Sequence, residues 1–189
     1  DPPGTRVTSH GFRLGPPNSG FLYTRRIGEH APIVGATKLS GRTAGGFSYG
    51  VLGATTGEEF APDRFYGVTR VNQEFGEFST AGAIVTGYEG PVERGWSSSA
   101  PAVRRQTLTG GFDYDLRFFD NSWGLEGFGG LTHRRLTAGE DGAETGIGGK
   151  VSASRRQGTW TGHLGLDYFG PEFEPNDLGR LRRTNVTIL

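Results

Sequence analysis

Leu108-Thr109-Gly110-Gly111-Phe112-Asp113-Tyr114-Asp115-Leu116-Arg117-Phe118 is the stretch that decides the fold. Its period is two. Leu108, Gly110, Phe112, Tyr114, Leu116 and Phe118 fall on one side of an extended chain, and Thr109, Gly111, Asp113, Asp115 and Arg117 fall on the other. A helix, with 3.6 residues per turn, would mix the two sets around its surface. Only a strand separates them, into one apolar face and one charged face.

The same alternation continues in both directions. Trp123, Leu125, Gly127, Gly129 and Leu131 oppose Gly124, Glu126, Phe128 and Thr132. Ile147, Gly149, Val151 and Ala153 oppose Gly148, Lys150, Ser152 and Ser154, and Trp160, Gly162, Leu164, Leu166 and Tyr168 oppose Thr161, His163, Gly165 and Asp167. Alternation places strands near 20–28, 33–43, 46–55, 63–75, 78–88, 104–118, 122–132, 144–156 and 159–169, with another beginning near 183. The clearest have the roughly 9–11 residues that carry a tilted strand across a bilayer.

The links between strands carry a second signal. After 43, 75, 118 and 156 they read as tight turns: Thr43 to Gly45, Gly76-Glu77, Phe119 to Asn121, and Gln157-Gly158. After 55, 88, 132 and 169 they read as long and polar. Strict alternation of short and long links is produced by an up-and-down antiparallel sheet whose turns gather at one end. Outer-membrane barrels have that asymmetry, with short periplasmic turns and long external loops. A soluble sandwich with Greek-key crossings has no reason to keep it.

Composition closes off the alternatives. The chain has 189 residues, enough for one ordinary domain, with 34 Gly and 10 Pro, so it is not mainly helical. It has no Cys, which removes disulfide scaffolds, Cys-based zinc sites and thiol nucleophiles. A formal net charge of zero gives no electrostatic case for nucleic acid. No apolar run reaches the length of a membrane-spanning helix. With Asp at residue 1, no Met, and a final strand broken off at Thr187-Ile188-Leu189, the chain reads as part of something longer.

The expected fold is therefore all-β: an up-and-down antiparallel transmembrane β-barrel, present as an incomplete N-terminal part of about nine to ten strands. Residues 1–19 form an irregular N-terminal segment, and 20–189 form the barrel segment, truncated at its C-terminal end. In this reading the apolar face meets lipid and the charged face lines a lumen. A soluble barrel or lipocalin-like shell, with its aromatics turned to a core, is the alternative.

Three ordered segments resemble a known family. Phe21-Leu22-Tyr23-Thr24-Arg25-Arg26-Ile27-Gly28 is the first; Pro32 to Arg42, followed by Gly45 to Leu52, is the second. Glu172-Phe173-Glu174-Pro175-Asn176-Asp177-Leu178-Gly179-Arg180-Leu181-Arg182-Arg183 is the third. Together they resemble the bacterial outer-membrane barrel family called domain of unknown function 5916, over about residues 20–189. Arg180 stands where that family usually has Phe. Members usually carry the barrel downstream of a family-nine carbohydrate-binding module. The resemblance implies a barrel in the outer membrane of a Gram-negative-type bacterium and a link to saccharide binding or uptake. It implies no catalytic residues.

Candidate site residues fall into two sets. Lys38, Arg42, Asp113, Asp115, Arg117, Glu126, Lys150 and Asp167 all lie on the face assigned to the lumen, either as neutralising cross-strand pairs or as a filter for solutes. Glu172, Glu174, Asn176 and Asp177 crowd an outer loop that could contact an ion or a sugar. A glycosidase needs two carboxyls held across a bond, and local crowding does not supply that geometry. Gly146-Ile147-Gly148-Gly149-Lys150-Val151 lacks the Ser or Thr that follows the Lys of a phosphate loop and alternates like a strand. His10, His30, His133 and His163 have no metal-ligand spacing, and no hydrolase elbow surrounds Ser97-Ser98-Ser99.

No cofactor is expected. The expected partners are membrane lipid, lipopolysaccharide, a saccharide ligand and the remainder of the barrel, and the expected location is the bacterial outer membrane. A carbohydrate-active hydrolase whose site lies partly elsewhere, and a soluble all-β binding domain, are the competing functions. Detergent dependence and turnover on glycans separate them.

Overall fold

The computed structural model describes residues 22, 27–29, 31–58, 61–92, 103–136, 142–175 and 186–188. Among them every regular element is a strand: β1 (Ile33–Arg42), β2 (Phe47–Glu58), β3 (Ala61–Phe75), β4 (Ser79–Pro91), β5 (Arg104–Phe118), β6 (Trp123–Leu136), β7 (Glu144–Arg155), β8 (Gly162–Phe169) and the short β9 (Val186–Ile188). They form one sheet in chain order, and each strand pairs antiparallel with the next. The chain is all-β and runs up and down, as its alternation implies.

One end of the sheet carries the turns 43–46, 76–78, 119–122 and 156–161, here called the short-turn end. At the other, here called the long-link end, β4, β6 and β8 finish and β5, β7 and β9 begin. The first link at that end differs from the sequence reading. The link expected to be long after residue 55 shrinks to residues 59–60, because β2 continues to Glu58 and β3 resumes at Ala61. A register shift between Thr56 and Gly57 lets the ladder run on through a polar stretch that reads as loop. Gly57 supplies the φ of 148° that this shift uses, and its N–H donates to the Pro32 carbonyl at 3.0 Å.

Three further strand boundaries move. Ile27–Glu29 lies in a turn, so the strand expected at 20–28 does not reach residue 28; of its remaining residues only Leu22 is described, outside any strand. Trp160, placed on a strand by its parity, lies instead in the 156–161 turn, and β8 starts at Gly162. The last strand begins at Val186 instead of near 183.

The turns show how the backbone reverses. Gly46, Gly76 and Gly158 take positive φ in three of the four short turns. The fourth uses Phe119, Asp120 and Asn121, with φ of 52°, 50° and 64°. A left-handed residue with a side chain costs about 1–2 kcal/mol, less for Asp and Asn, so Phe119 carries most of the strain. Ser122 N–H donates to the Phe119 carbonyl, and Arg156 N–H donates to the Ser122 carbonyl at 2.8 Å, which ties this turn to the next.

The two faces differ in kind. Register places Phe112, Tyr114, Leu116 and Trp123 on one face and Asp113, Asp115 and Glu126 on the other. The first, called outer, is apolar and open: Leu108 is 50% exposed, Phe112 56% and Ile147 59%. Its aromatics lean on glycines directly across the ladder. A Cβ at Gly129 would come within 2.9 Å of the Phe112 ring, and one at Gly127 within 2.7 Å of the Tyr114 hydroxyl. Large rings opposite glycines fill the pleat without crowding it, which accounts for much of the glycine in β6.

The inner face is covered. Thr56, Thr109 and Thr132 are essentially inaccessible. Ala54, Tyr66, Val68, Ile84 and Phe128, drawn from β2, β3, β4 and β6, form one buried cluster with Phe173. Leu22 and Ile27, from before β1, and Phe173, from after β8, pack on this same face. The apolar core among the described residues therefore lies on this one face of the sheet, toward the long-link end.

Candidate functional site on the inner face

All eight residues expected to line a lumen share the inner face. Lys38 and Arg42 come from β1, Asp113, Asp115 and Arg117 from β5, Glu126 from β6, Lys150 from β7 and Asp167 from β8. The strand period puts them there, since each stands an even number of residues from the next inner position of its strand. Arg42, Asp115, Arg117 and Glu126 stand nearest the short-turn end, whereas Lys38 and Asp167 lie farther from it.

Opposite charges meet across the ladders. Lys150 Nζ lies 3.4 Å from Asp167 Oδ1, in directly paired positions of β7 and β8. Arg117 Nη2 donates to Asp115 Oδ2 at 2.7 Å and lies 3.9 Å from Glu126 Oε2. Ser152 Oγ donates to Glu126 Oε1 at 3.2 Å, and Arg42 pairs with Glu74. This is a ladder of neutralising pairs, of the kind a polar surface within a sheet needs.

The deepest pair was not legible in the sequence. Arg70 of β3 reaches across β4 to Asp113 of β5, with Nη1–Oδ1 at 2.7 Å and Nη2–Oδ2 at 3.0 Å. Both side chains are more than nine-tenths buried. Gly82, which pairs with Asp113 on β4, makes the crossing possible: a Cβ there would lie 3.0 Å from Arg70 Nη2. The fork-to-fork geometry satisfies two donors and two acceptors at once.

The acidic segment after β8 does not project away from the sheet. Gly170 N–H donates to the Ile147 carbonyl at 3.0 Å, and Phe173 N–H donates to the Gly170 carbonyl at 3.1 Å, turning the chain back. Phe173 is fully buried, stacked on Phe169 at 5.9 Å. Gly146 and Gly148 admit it, because a Cβ at Gly146 would lie 2.2 Å from the Phe173 nitrogen. Thr132 Oγ1 then clasps the backbone, donating to the Glu172 carbonyl at 3.2 Å and accepting from the Glu174 N–H at 3.1 Å. The Glu172 side chain stays exposed and Glu174 is half-buried. Asn176 and Asp177 lie outside the described residues.

This clasp gives a direct test. Thr132→Val keeps the shape and leaves two buried backbone groups without their partner, so it should cost about 1–3 kcal/mol. Hydrogen exchange at the Glu174 amide reads it: protection should fall there while β5–β6 amides keep theirs.

No group of three or more His, Cys, Asp or Glu that could hold a metal occurs among the described residues. Arg134 and Glu144, paired at 2.6 Å, and His133 and Thr145, 2.9 Å apart, bridge β6 and β7 at the long-link rim. The arrangement holds a polar inner face that presents charges of both signs. Comparison with protein-family models, with curated proteins and with solved structures finds no match to this chain.

Proposed function

We propose that this sheet is part of the wall of an outer-membrane β-barrel, with its outer face in lipid and its charged inner face toward the lumen. The observation that carries the reading is the inverted polarity of the faces. Leu108, Phe112, Ile147 and Leu164 are exposed, whereas Arg70, Asp113, Thr109 and Thr132 are buried. Water would drive such faces to the opposite arrangement. Hydrocarbon favours this one.

Dimensions and chemistry agree. On β5 the apolar outer face runs from Leu108 to Phe118, a rise of about 34 Å that becomes about 25 Å at a tilt of 40–45°, the height of a barrel's lipid-facing band. Exposed aromatics gather at the short-turn end: Phe47, Tyr49, Phe75, Phe78, Phe118, Phe119, Trp123 and Trp160. An aromatic belt marks a membrane interface. Past Leu108 the outer face turns polar, where Arg104 and Gln106 both donate to Glu89. The short-turn end is then periplasmic and the long links external. The resemblance to the family called domain of unknown function 5916 points the same way and is the sole support for a saccharide link.

In hydrocarbon every backbone N–H and C=O must be paired. The edges of β1 and β9 that have no partner among the described residues therefore pair in the barrel, with each other or with further strands. Insertion is the test. The full chain, refolded with phosphatidylcholine vesicles, should stay with them through an alkaline carbonate wash. A chain that folds as a monomer in detergent-free buffer and washes off the vesicles would overturn the membrane reading.

A further inference from the structure

The outer face carries one charge where its apolar character is strongest. Phe118, Trp123, Arg155 and Gly162 form a single row across β5 to β8 at the short-turn end. Arg155 Cζ lies 3.9 Å from the Trp160 ring centre and 5.6 Å from that of Trp123. The two indoles meet edge to face at 6.4 Å. The guanidinium is thus packed between two rings that themselves stand in the aromatic belt.

Its hydrogen-bonding capacity is largely unused. Arg70, Arg104, Arg117 and Arg134 each pair with a carboxylate. Among the described residues Arg155 has no such partner, and its Nε donates only to the Gln157 carbonyl, at 3.3 Å. Its ladder partner Gly162 presents no side chain, and the space above it is open: a Cβ there would meet nothing within 4 Å. The side chain is therefore fixed in orientation by stacking, with Nη2 lying over Gly158 of the turn, where a Cβ would come within 2.9 Å of it, while the outer-face position that pairs with Arg155 in the ladder stays open.

We infer that Arg155, Trp123, Trp160 and the gap at Gly162 form a binding site for the phosphate of a phospholipid in the leaflet that surrounds the short-turn end. A stacked guanidinium keeps its planar fork free for two oxygens, and its weak hydration suits a site half in hydrocarbon. Indoles prefer the level of the headgroups, just where phosphates lie. The gap at Gly162 leaves room for the glycerol and the start of an acyl chain. A carboxylate partner would have cancelled the charge, and none stands beside Arg155 among the described residues. The inference rests on the membrane reading given above.

The test uses the full chain in phosphatidylcholine nanodiscs doped with phosphatidylglycerol, with lipids retained on the protein counted by native mass spectrometry after release into detergent. Wild type should retain phosphatidylglycerol. Arg155→Gln should weaken that binding about tenfold, the worth of one charge-assisted hydrogen bond, and Arg155→Lys should recover only part of it, because an ammonium lacks the fork. Gly162→Leu fills the gap without touching Arg155 and should weaken binding comparably while the sheet stays folded by circular dichroism. Arg104→Gln, at the opposite end, should leave binding unchanged. Inorganic phosphate at the same concentration should compete poorly; equal competition would overturn a lipid as the occupant. Wild-type binding by both Arg155→Gln and Gly162→Leu would overturn the site while leaving the barrel reading intact. Failure of the wild type to enter nanodiscs would overturn both.

Discussion

Asp113→Ala should destabilise the folded chain by about 3–5 kcal/mol, because it leaves the Arg70 guanidinium buried and uncompensated. Both partners are more than nine-tenths buried, and the two short contacts between them are lost together. The size of that loss is a desolvation penalty, and it does not measure what the pair contributes. The companion experiment makes the difference visible. Replacing both residues, Arg70→Met with Asp113→Leu, removes the charges along with the need to solvate them, and should fall within about 1–2 kcal/mol of wild type. Urea unfolding in detergent, followed by far-ultraviolet circular dichroism, reads all three. If Asp113→Ala alone were nearly neutral, water would have to reach Arg70, and the inner face would be wetter than its burial indicates.

That pair also shows where reading the sequence stops. On β5 the two faces separate cleanly, since every even position from Leu108 is apolar or Gly and every odd one polar or Gly. On β3 they do not. Its inner face mixes Tyr66 and Val68 with Arg64 and Arg70, and its outer face carries Phe65, Val71 and Phe75. The inner apolar cluster makes both faces partly apolar there, so parity cannot tell which one Arg70 occupies. The alternation of β5 fixes the face of Asp113, and nothing in the sequence names its partner two strands away. A contact that crosses a glycine on an intervening strand leaves no local signal.

The other misreadings have equally local causes. Thr-Gly-Glu-Glu at 56–59 has loop composition, yet the shift at Gly57 absorbs one residue and β2 carries on to Glu58. Trp160 has the parity of β8, but it sits in the turn, where its ring meets Arg155 and Trp123 instead of the ladder. Phe173 sits among three acids and two prolines in 171–177, a context that reads as exposed loop. Nothing in that context shows that Gly146 and Gly148 have vacated the inner face to receive it. The eight inner-face charges were legible because the strand period is two, and a period survives errors in where strands end.

Depth on the outer face yields the second large effect. Phe112 sits midway between Leu108 and the Phe118–Trp123 row, whereas Leu116 is one outer position from that row. In a bilayer an arginine on the lipid face costs about 2–4 kcal/mol at the midplane and about 0–1 near the interface. Phe112→Arg should therefore cost about 2–4 kcal/mol, and Leu116→Arg distinctly less, since its side chain can snorkel to the belt. Phe112→Ala serves as the control for lost packing on Gly129, and only the excess over it counts as the cost of the charge. In water the order would invert: Phe112 is 56% exposed, and a charge there would be nearly neutral and would improve solubility. The measurement is reversible unfolding of each variant in phosphatidylcholine vesicles. A depth-dependent cost is what lipid imposes, and a cost at 112 no larger than that at 116 would return the outer face to solvent.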